Sequence, residues 1–269
     1  MKVLITGTSC GVGRAAAFKF LDEGYEVVGL DVKEPTLFHS KYTHYICDVS
    51  VAESLPDVTG VNYIVNNAGI VTPQKFAIDV NLIGYINIIE KYGYDPVLKS
   101  IVNIGSTASI KGYDNIRYCA SQGGRDALTK WCATNFGSDD RHVICNSLNL
   151  DGIVAADPEN GIQGTSLEPE LYAQPELMET IKNLSVLKKL ATVEEIAEWI
   201  YFLLVVKSRN QLNMCHVIFT LFCDDSVLRY PESEGCKDNV NLAQLVRFEC
   251  FDNCYSIIDC RSRNLFICI

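Results

Sequence analysis

The feature that most constrains this chain is its first 31 residues, MKVLITGTSCGVGRAAAFKFLDEGYEVVGLD. Lys2 to Thr6 is a short apolar run with β-branched residues and reads as a buried strand. Gly7, Gly11 and Gly13 follow, and then Ala15, Ala16, Ala17, Phe18, Phe20 and Leu21 set a helical pattern that stops at Gly24. Glu26 to Leu30 reads as a second strand, with Asp31 at its carboxyl end. Strand, glycine turn, helix, strand and acid make a βαβ unit of the length that suits a dinucleotide.

Each residue type has a physical reason. A helix N-terminus offers unpaired N–H groups and partial positive charge, which suits a pyrophosphate, and glycine lets the backbone approach it. Gly7, Ser9, Cys10, Gly11, Val12 and Gly13 are therefore the expected contacts of the turn. Asp31 can accept hydrogen bonds from both adenosine ribose hydroxyls, and its charge repels a 2′-phosphate. No Arg or Lys immediately follows Asp31 or precedes Gly11. The expected cofactor is NAD in preference to NADP. For the three glycines alone, a purely structural turn in another α/β protein is the plain alternative.

The totals narrow the class. A chain of 269 residues, 48% of them hydrophobic, can bury the core of one large α/β domain, with or without an appendage. A net charge of −10 argues against binding nucleic acid or an anionic membrane. The chain enters a strand at once, and its longest apolar stretch, Trp199 to Val206, is too short to span a bilayer. The expectation is a cytoplasmic protein.

The 12 cysteines divide unevenly. Cys10, Cys47, Cys119, Cys132 and Cys145 are scattered, whereas Cys215, Cys223, Cys236, Cys250, Cys254, Cys260 and Cys268 crowd the tail. There is no CxxC, the tail holds only His216, and His39, His44 and His142 show no ligand spacing, so no metal site is read and buried free thiols are expected.

Further strands are expected over Tyr42–Cys47, Val61–Val65, Ser100–Ile104 and His142–Leu148. Helices are expected over Phe76–Tyr92, Arg117–Phe136 and from Thr192 to Val205, where Thr192 and Glu195 form a capping-box pair. Residues 151–185 read as loop, with Pro158, Pro169, Pro175 and several glycines. Alternating strands and helices predict an α/β fold: a Rossmann-like, doubly wound parallel sheet in three α/β/α layers. Gly7, Asp31, Asp48, Asn67 and Ser106 would cluster at its carboxyl edge.

On these motifs the chain resembles the short-chain dehydrogenase/reductase family. TGTSCGVG, NNAG at 66–69, Asn81 in DVNLIG, Ser106 in VNIGS, Tyr118 in YCAS, CNSL at 145–148 and VLKKLATVEEIAEWIYFLL at 186–204 fall in the family's order over residues 1 to about 210. The resemblance implies that Asp48 and Val49 face the adenine and that Asn67, Ala68 and Gly69 support the cofactor. It implies that Ser106, Tyr118 and Asn81 are catalytic, with Tyr118 as acid/base, Ser106 holding the substrate oxygen and Asn81 supporting a proton path. It also implies a homodimer or homotetramer, packed through the 76–92 and 118–136 helices.

The chain departs from the pattern at Gln122, in YCASQ, where the family has a Lys that lowers the Tyr pKa and bonds the nicotinamide ribose. A phenol left near its ordinary value of about 10 is ionised about one part in 10³ at neutral pH. Losing about three units of tuning costs roughly 4 kcal/mol in alcohol oxidation. Carbonyl reduction suffers less, because there the phenol starts protonated, and Gln122 can still hydrogen-bond ribose hydroxyls. After the sixth strand the family's Pro-Gly and Thr are replaced by Asp151-Gly152-Ile153-Val154-Ala155-Ala156. Val217 to Phe222 is strand-like, and residues 223–269 form a Cys-rich tail without clear periodicity, as if of different origin, set apart from a catalytic domain over 1–222.

Two functions are compatible with these residues. One is an NAD(H)-dependent oxidoreductase of an alcohol/carbonyl pair with reduced activity. The other is a catalytically silent NAD(H)-binding sensor or scaffold that kept the pocket and lost the Lys. The substrate is not readable, although Glu159, Glu168, Glu170 and Glu176 in the expected lid disfavour a highly anionic one.

Overall fold

A computed structural model describes residues 1–154, 156, 164–165, 174–184, 189–206, 217–218, 245–249 and 255–259. Six strands, β1 (Lys2–Thr6), β2 (Glu26–Asp31), β3 (Tyr42–Ile46), β4 (Tyr63–Asn66), β5 (Ser100–Ser106) and β6 (Ile144–Leu150), form one sheet in the order β3-β2-β1-β4-β5-β6. Every pairing is parallel. The expected doubly wound fold is the fold observed. The strand order reverses between β1 and β4, which opens a crevice at their carboxyl ends.

Helices cover both faces, which is why the central strands are apolar on both sides rather than alternating. On one face, α1 (Gly11–Asp22) packs Ala16, Ala17 and Phe20 beside Ile196, Ala197 and Ile200 of a later helix, Val193–Tyr201. On the other, α2 (Gly84–Tyr92) and α3 (Ile116–Gly137) bury Ile88, Ile89, Cys132 and Phe136 against Leu4, Ile64 and Ile101. Thr192 caps the Val193–Tyr201 helix in the expected capping box: its hydroxyl accepts from Glu195 N, and the Glu195 carboxylate accepts from Thr192 N.

Several boundaries differ from expectation, each for a local reason. His142 has φ 52°, and its N–H donates to Asp139 O, so it belongs to a turn and β6 begins at Ile144. The expected 76–92 helix is interrupted by a π-helical turn over Asp79–Ile83, and only Gly84–Tyr92 is α-helical. The 151–185 segment is not all loop: α4 spans Pro175–Leu184, and the helix Val193–Tyr201 becomes α5. Pro175 begins α4 rather than breaking it, because the first turn needs no proline N–H. Phe202–Val206 extends α5 as a second π-helical turn.

In the tail, β7 (Val217–Ile218), β8 (Leu245–Glu249) and β9 (Tyr255–Asp259) make a separate antiparallel sheet. Its pairing joins residues on both sides of the expected boundary at 222. The seven tail cysteines, His216, Ala155, Glu159, Glu168 and Glu170 lie outside the described residues.

Candidate active site

The glycine turn is built by close packing. A Cβ on Gly13 would stand 2.1 Å from Gly7 O and 2.5 Å from Asn67 Nδ2, so α1 can start this near to β1 and β4 only without a side chain there. Gly7 has φ 75°, a left-handed turn that glycine adopts without strain. Cys10 stands at the N-cap of α1, where no side chain caps the helix and the first turn holds no acid. A helix start of this kind offers its first N–H groups and partial positive charge to an anion. The segment after β6 returns to this place: a Cβ on Gly11 would meet Gly164 O at 3.6 Å.

Asp31, at the end of β2, holds the turn from the side. Its Oδ2 accepts from Ser9 N at 2.9 Å and its Oδ1 from Lys33 N at 2.9 Å. A carboxylate oxygen accepts more than one bond, so the group keeps acceptor capacity for a diol. Thr8, fully buried, is reached by the Tyr42 hydroxyl at 2.9 Å. That contact needs Gly29, where a Cβ would lie 2.3 Å from Tyr42 Oη. Tyr42 also bonds His44 at 2.8 Å, and His44 in turn reaches Lys33 O. Sequence reasoning missed this strut from β3 to the turn.

The NNAG loop is tied to β1. Asn67 N and Ala68 N both donate to Thr6 Oγ1 at 2.9 Å, and Asn67 Nδ2 donates to Thr6 O at 2.9 Å. Asp48 folds its own loop: its Oδ1 accepts from Ser50 N and Ser50 Oγ. The Val49 side chain, expected to face the adenine, is buried in the core against Gly84, and its carbonyl accepts from Asn87.

Ser106 ends β5, and its hydroxyl accepts from Ala108 N at 3.2 Å. Tyr118, half-buried, lies in the first turn of α3, which Asn115 caps by accepting from Tyr118 N at 2.9 Å. Asn115 Nδ2 donates to Val71 O, which ties that helix start to the loop after NNAG. Asn81 is fully buried, and both ends of its amide engage Ile70: Oδ1 accepts from Ile70 N at 2.8 Å and Nδ2 donates to Ile70 O at 2.7 Å. Its Nδ2 also donates to Ser121 Oγ at 3.3 Å, so the side chain clasps the Ile70 loop and reaches α3, while its main-chain carbonyl faces a further donor. The π-helical turn around it explains how: such a turn displaces carbonyls from the regular ladder.

That carbonyl accepts from Arg125, the residue that sequence reasoning missed. Arg125 Nε donates to Asn81 O at 2.6 Å, Nη1 to Ile104 O at 2.7 Å and to Gln122 Oε1 at 3.1 Å, and Nη2 to Ala68 O at 3.2 Å. Its guanidinium also lies 3.9 Å from the centre of the Tyr85 ring. Gln122 is fully buried, with Nε2 donating to Ser121 Oγ at 3.4 Å. The available signal was spacing: residues 118, 122 and 125 recur on one helical face. On the other side of Ser106, Asp151 pairs with Lys111 at 3.1 Å and accepts from Tyr113 Oη.

The comparisons agree with this geometry. The family model described as short chain dehydrogenase matches residues 1–157. The L-xylulose reductase of Caenorhabditis elegans is 28% identical over 233 residues, covering 76% of this chain and 88% of the relative. The ligand-free aldohexose dehydrogenase of Thermoplasma acidophilum superposes with a TM-score of 0.66 at 25% identity, covering 87% of this chain and 96% of that one. Among other solved structures of this fold, one holds NADH and another NADP. Motif order, sheet order and family match converge: the chain belongs to the short-chain dehydrogenase/reductase family of nucleotide-binding oxidoreductases.

Proposed function

We propose that the protein is an NAD(H)-dependent oxidoreductase that interconverts an alcohol and a carbonyl and favours reduction at neutral pH. The observation that carries this reading is the crevice at the carboxyl ends of β1, β2 and β5. It joins an uncapped helix N-terminus, the Asp31 carboxylate, Ser106 and the neighbouring start of α3 with Tyr118. The residues fit a dinucleotide: a glycine-rich turn at a helix N-terminus for the pyrophosphate, and an acid for the adenosine ribose that opposes a 2′-phosphate.

When bound, the reduced nicotinamide supplies the hydride. Ser106 holds the substrate oxygen, and Tyr118 gives that oxygen its proton as the carbonyl becomes an alcohol. Asn81 maintains the floor of the site through Ile70 and Arg125. The test is NADH consumption with a panel of carbonyl compounds, alongside binding of NADH and NADPH. Turnover lost in Tyr118→Phe with NADH still bound supports the reading; NADPH-only binding overturns it.

A second reading has its own observation. Gln122 stands at the family's Lys position, is fully buried, and its oxygen accepts from Arg125. It is therefore less available to a ribose than expected, which favours a silent NAD(H)-binding protein. NADH binding with no Tyr118-dependent turnover on any substrate of the panel would establish that alternative.

A further inference from the structure

Arg125 is only 4% exposed, yet every group it touches is neutral: three main-chain carbonyls, the Gln122 amide oxygen and the Tyr85 ring. Among the described residues no carboxylate pairs with it. A guanidinium does not shed its proton in a protein, and a buried charge without a counter-ion is costly unless its hydrogen bonds are met. Here they are met from four places: the NNAG loop, the π-helical turn, β5 and α3.

The charge also lies beside Gln122, at the family's Lys position. Helical side chains lean toward the N-terminus, so a residue at 125 projects over the turn that carries Gln122 and Tyr118. Hydrogen bonds run from Arg125 through Gln122 and Ser121 to the main-chain carbonyl of Tyr118. Arg125 Nη1 donates to Gln122 Oε1, Gln122 Nε2 to Ser121 Oγ, and Ser121 Oγ to Tyr118 O at 2.7 Å. Tyr85 lies under the guanidinium, and its hydroxyl donates to the same Ile104 carbonyl that accepts from Arg125.

We propose that Arg125 is a positioning residue that supplies, from inside the fold, the fixed positive charge absent at position 122, and so stabilises the ionised form of Tyr118. The proposal rests on the reading of Tyr118 as the acid/base. The other ionisable groups at this end of the surrounding elements are the Tyr85 phenol, Asp126 (which accepts from Asn149 and Ser147), the Lys111–Asp151 pair with Tyr113, and Cys119, with Asp79, Asp114 and Arg117 at the surface; Glu90, Lys91, Tyr92, Lys130 and Cys132 lie further along α2 and α3. Arg125 is the buried cation of this set.

The experiment is a titration of Tyr118 by ultraviolet tyrosinate absorbance, without cofactor, as the difference between a protein and its Tyr118→Phe counterpart. Repeated with Arg125→Met, it should show the Tyr118 midpoint raised by about one pH unit. Adding Gln122→Lys to Arg125→Met returns a cation one turn from Tyr118 and should bring the midpoint back. An unmoved midpoint in a folded Arg125→Met protein overturns the proposal, and so does a raised midpoint that Gln122→Lys leaves raised. If Arg125→Met does not fold, Arg125→Lys keeps the charge and loosens the clamp. It should then lower the melting temperature with the midpoint held, and a midpoint that shifts with the melting temperature overturns the proposal. Absence of Tyr118-dependent turnover in the unmodified protein would count against the oxidoreductase reading alone, because this titration needs no turnover.

Discussion

Gln122 Oε1 accepts from Arg125 Nη1 at 3.1 Å inside a fully enclosed part of α3. Position 122 is therefore coupled to a buried positive charge, and substitutions there have opposite effects on stability and on chemistry. In Gln122→Glu the guanidinium gains a counter-ion, so thermal stability should hold or rise. Alcohol oxidation, which needs the ionised phenol, should slow by about tenfold or more, since an added anion holds Tyr118 protonated and cancels the cation. Parallel thermal melts and assays of NAD reduction by alcohols check this; a destabilised protein with undiminished alcohol oxidation would falsify it.

Gln122→Lys in the otherwise unchanged protein places two cations side by side. The family pattern alone leads one to expect restored activity from this change. The structure leads instead to a loss of stability of about 1–3 kcal/mol, the range for an unpaired buried group, with no gain in turnover. Denaturant unfolding of the single variant, compared with the Arg125→Met/Gln122→Lys pair, distinguishes the two expectations.

Gly13→Ala tests the cradle. The added methyl would lie 2.1 Å from Gly7 O, a main-chain atom that cannot swing aside. The expected cost is about 1–3 kcal/mol or more, with a sharp loss of NADH affinity. Near-normal NADH binding in a folded Gly13→Ala protein would show that the pyrophosphate does not lie on this turn.

Asp31→Asn separates geometry from charge. An amide oxygen can still accept from a main-chain N–H of Ser9 or Lys33, but the repulsion toward a 2′-phosphate is gone. The ratio of NADH affinity to NADPH affinity should fall by about tenfold or more relative to the unmodified protein. Equal ratios in the two proteins, measured by fluorescence titration, would remove Asp31 from the account of specificity.

Two thiols near the crevice should behave differently. Cys10 is exposed at the start of α1, so alkylation followed by peptide mapping should label it readily and NADH should protect it. Cys47 is buried, and burial first, then the charges of Asp31 and Asp48, push its thiol from an ordinary 9.0 to about 11. A raised thiol stabilises the fold below its unfolded value and loses that contribution as pH climbs through the folded value. Stability should therefore decline between about pH 9 and 11, and Cys47→Ala should flatten that limb. An unchanged slope in Cys47→Ala would assign the alkaline limb to other groups, such as Tyr201, which burial and its neighbours push up to about 12.

The order of elements up to α5 was legible because it rests on local physics. Apolar runs of four to seven residues, glycine at the turn and a capping box at Thr192 each act within a few residues of chain. The misplaced boundaries share one cause. Pro175, His142 and the Asp79–Ile83 turn depend on what the backbone meets in space: a helix start, a left-handed turn, a carbonyl redirected toward a distant guanidinium. Gly29 likewise reads as a weak strand residue until the Tyr42 hydroxyl is seen crossing it to reach Thr8.

By itself the sequence determined the doubly wound sheet, the glycine turn and the acid that follows it, since periodicity and backbone permissiveness need no partners. Only the tertiary structure decided what surrounds the residue at the family's lysine position. Gln122 is silent about its surroundings as a letter in a chain. It acquires a role because Asn81, Ile104 and Ala68, from three separate segments, hold the Arg125 charge against it. Electrostatic effects act through space, and sequence spacing does not report distance once the chain has folded.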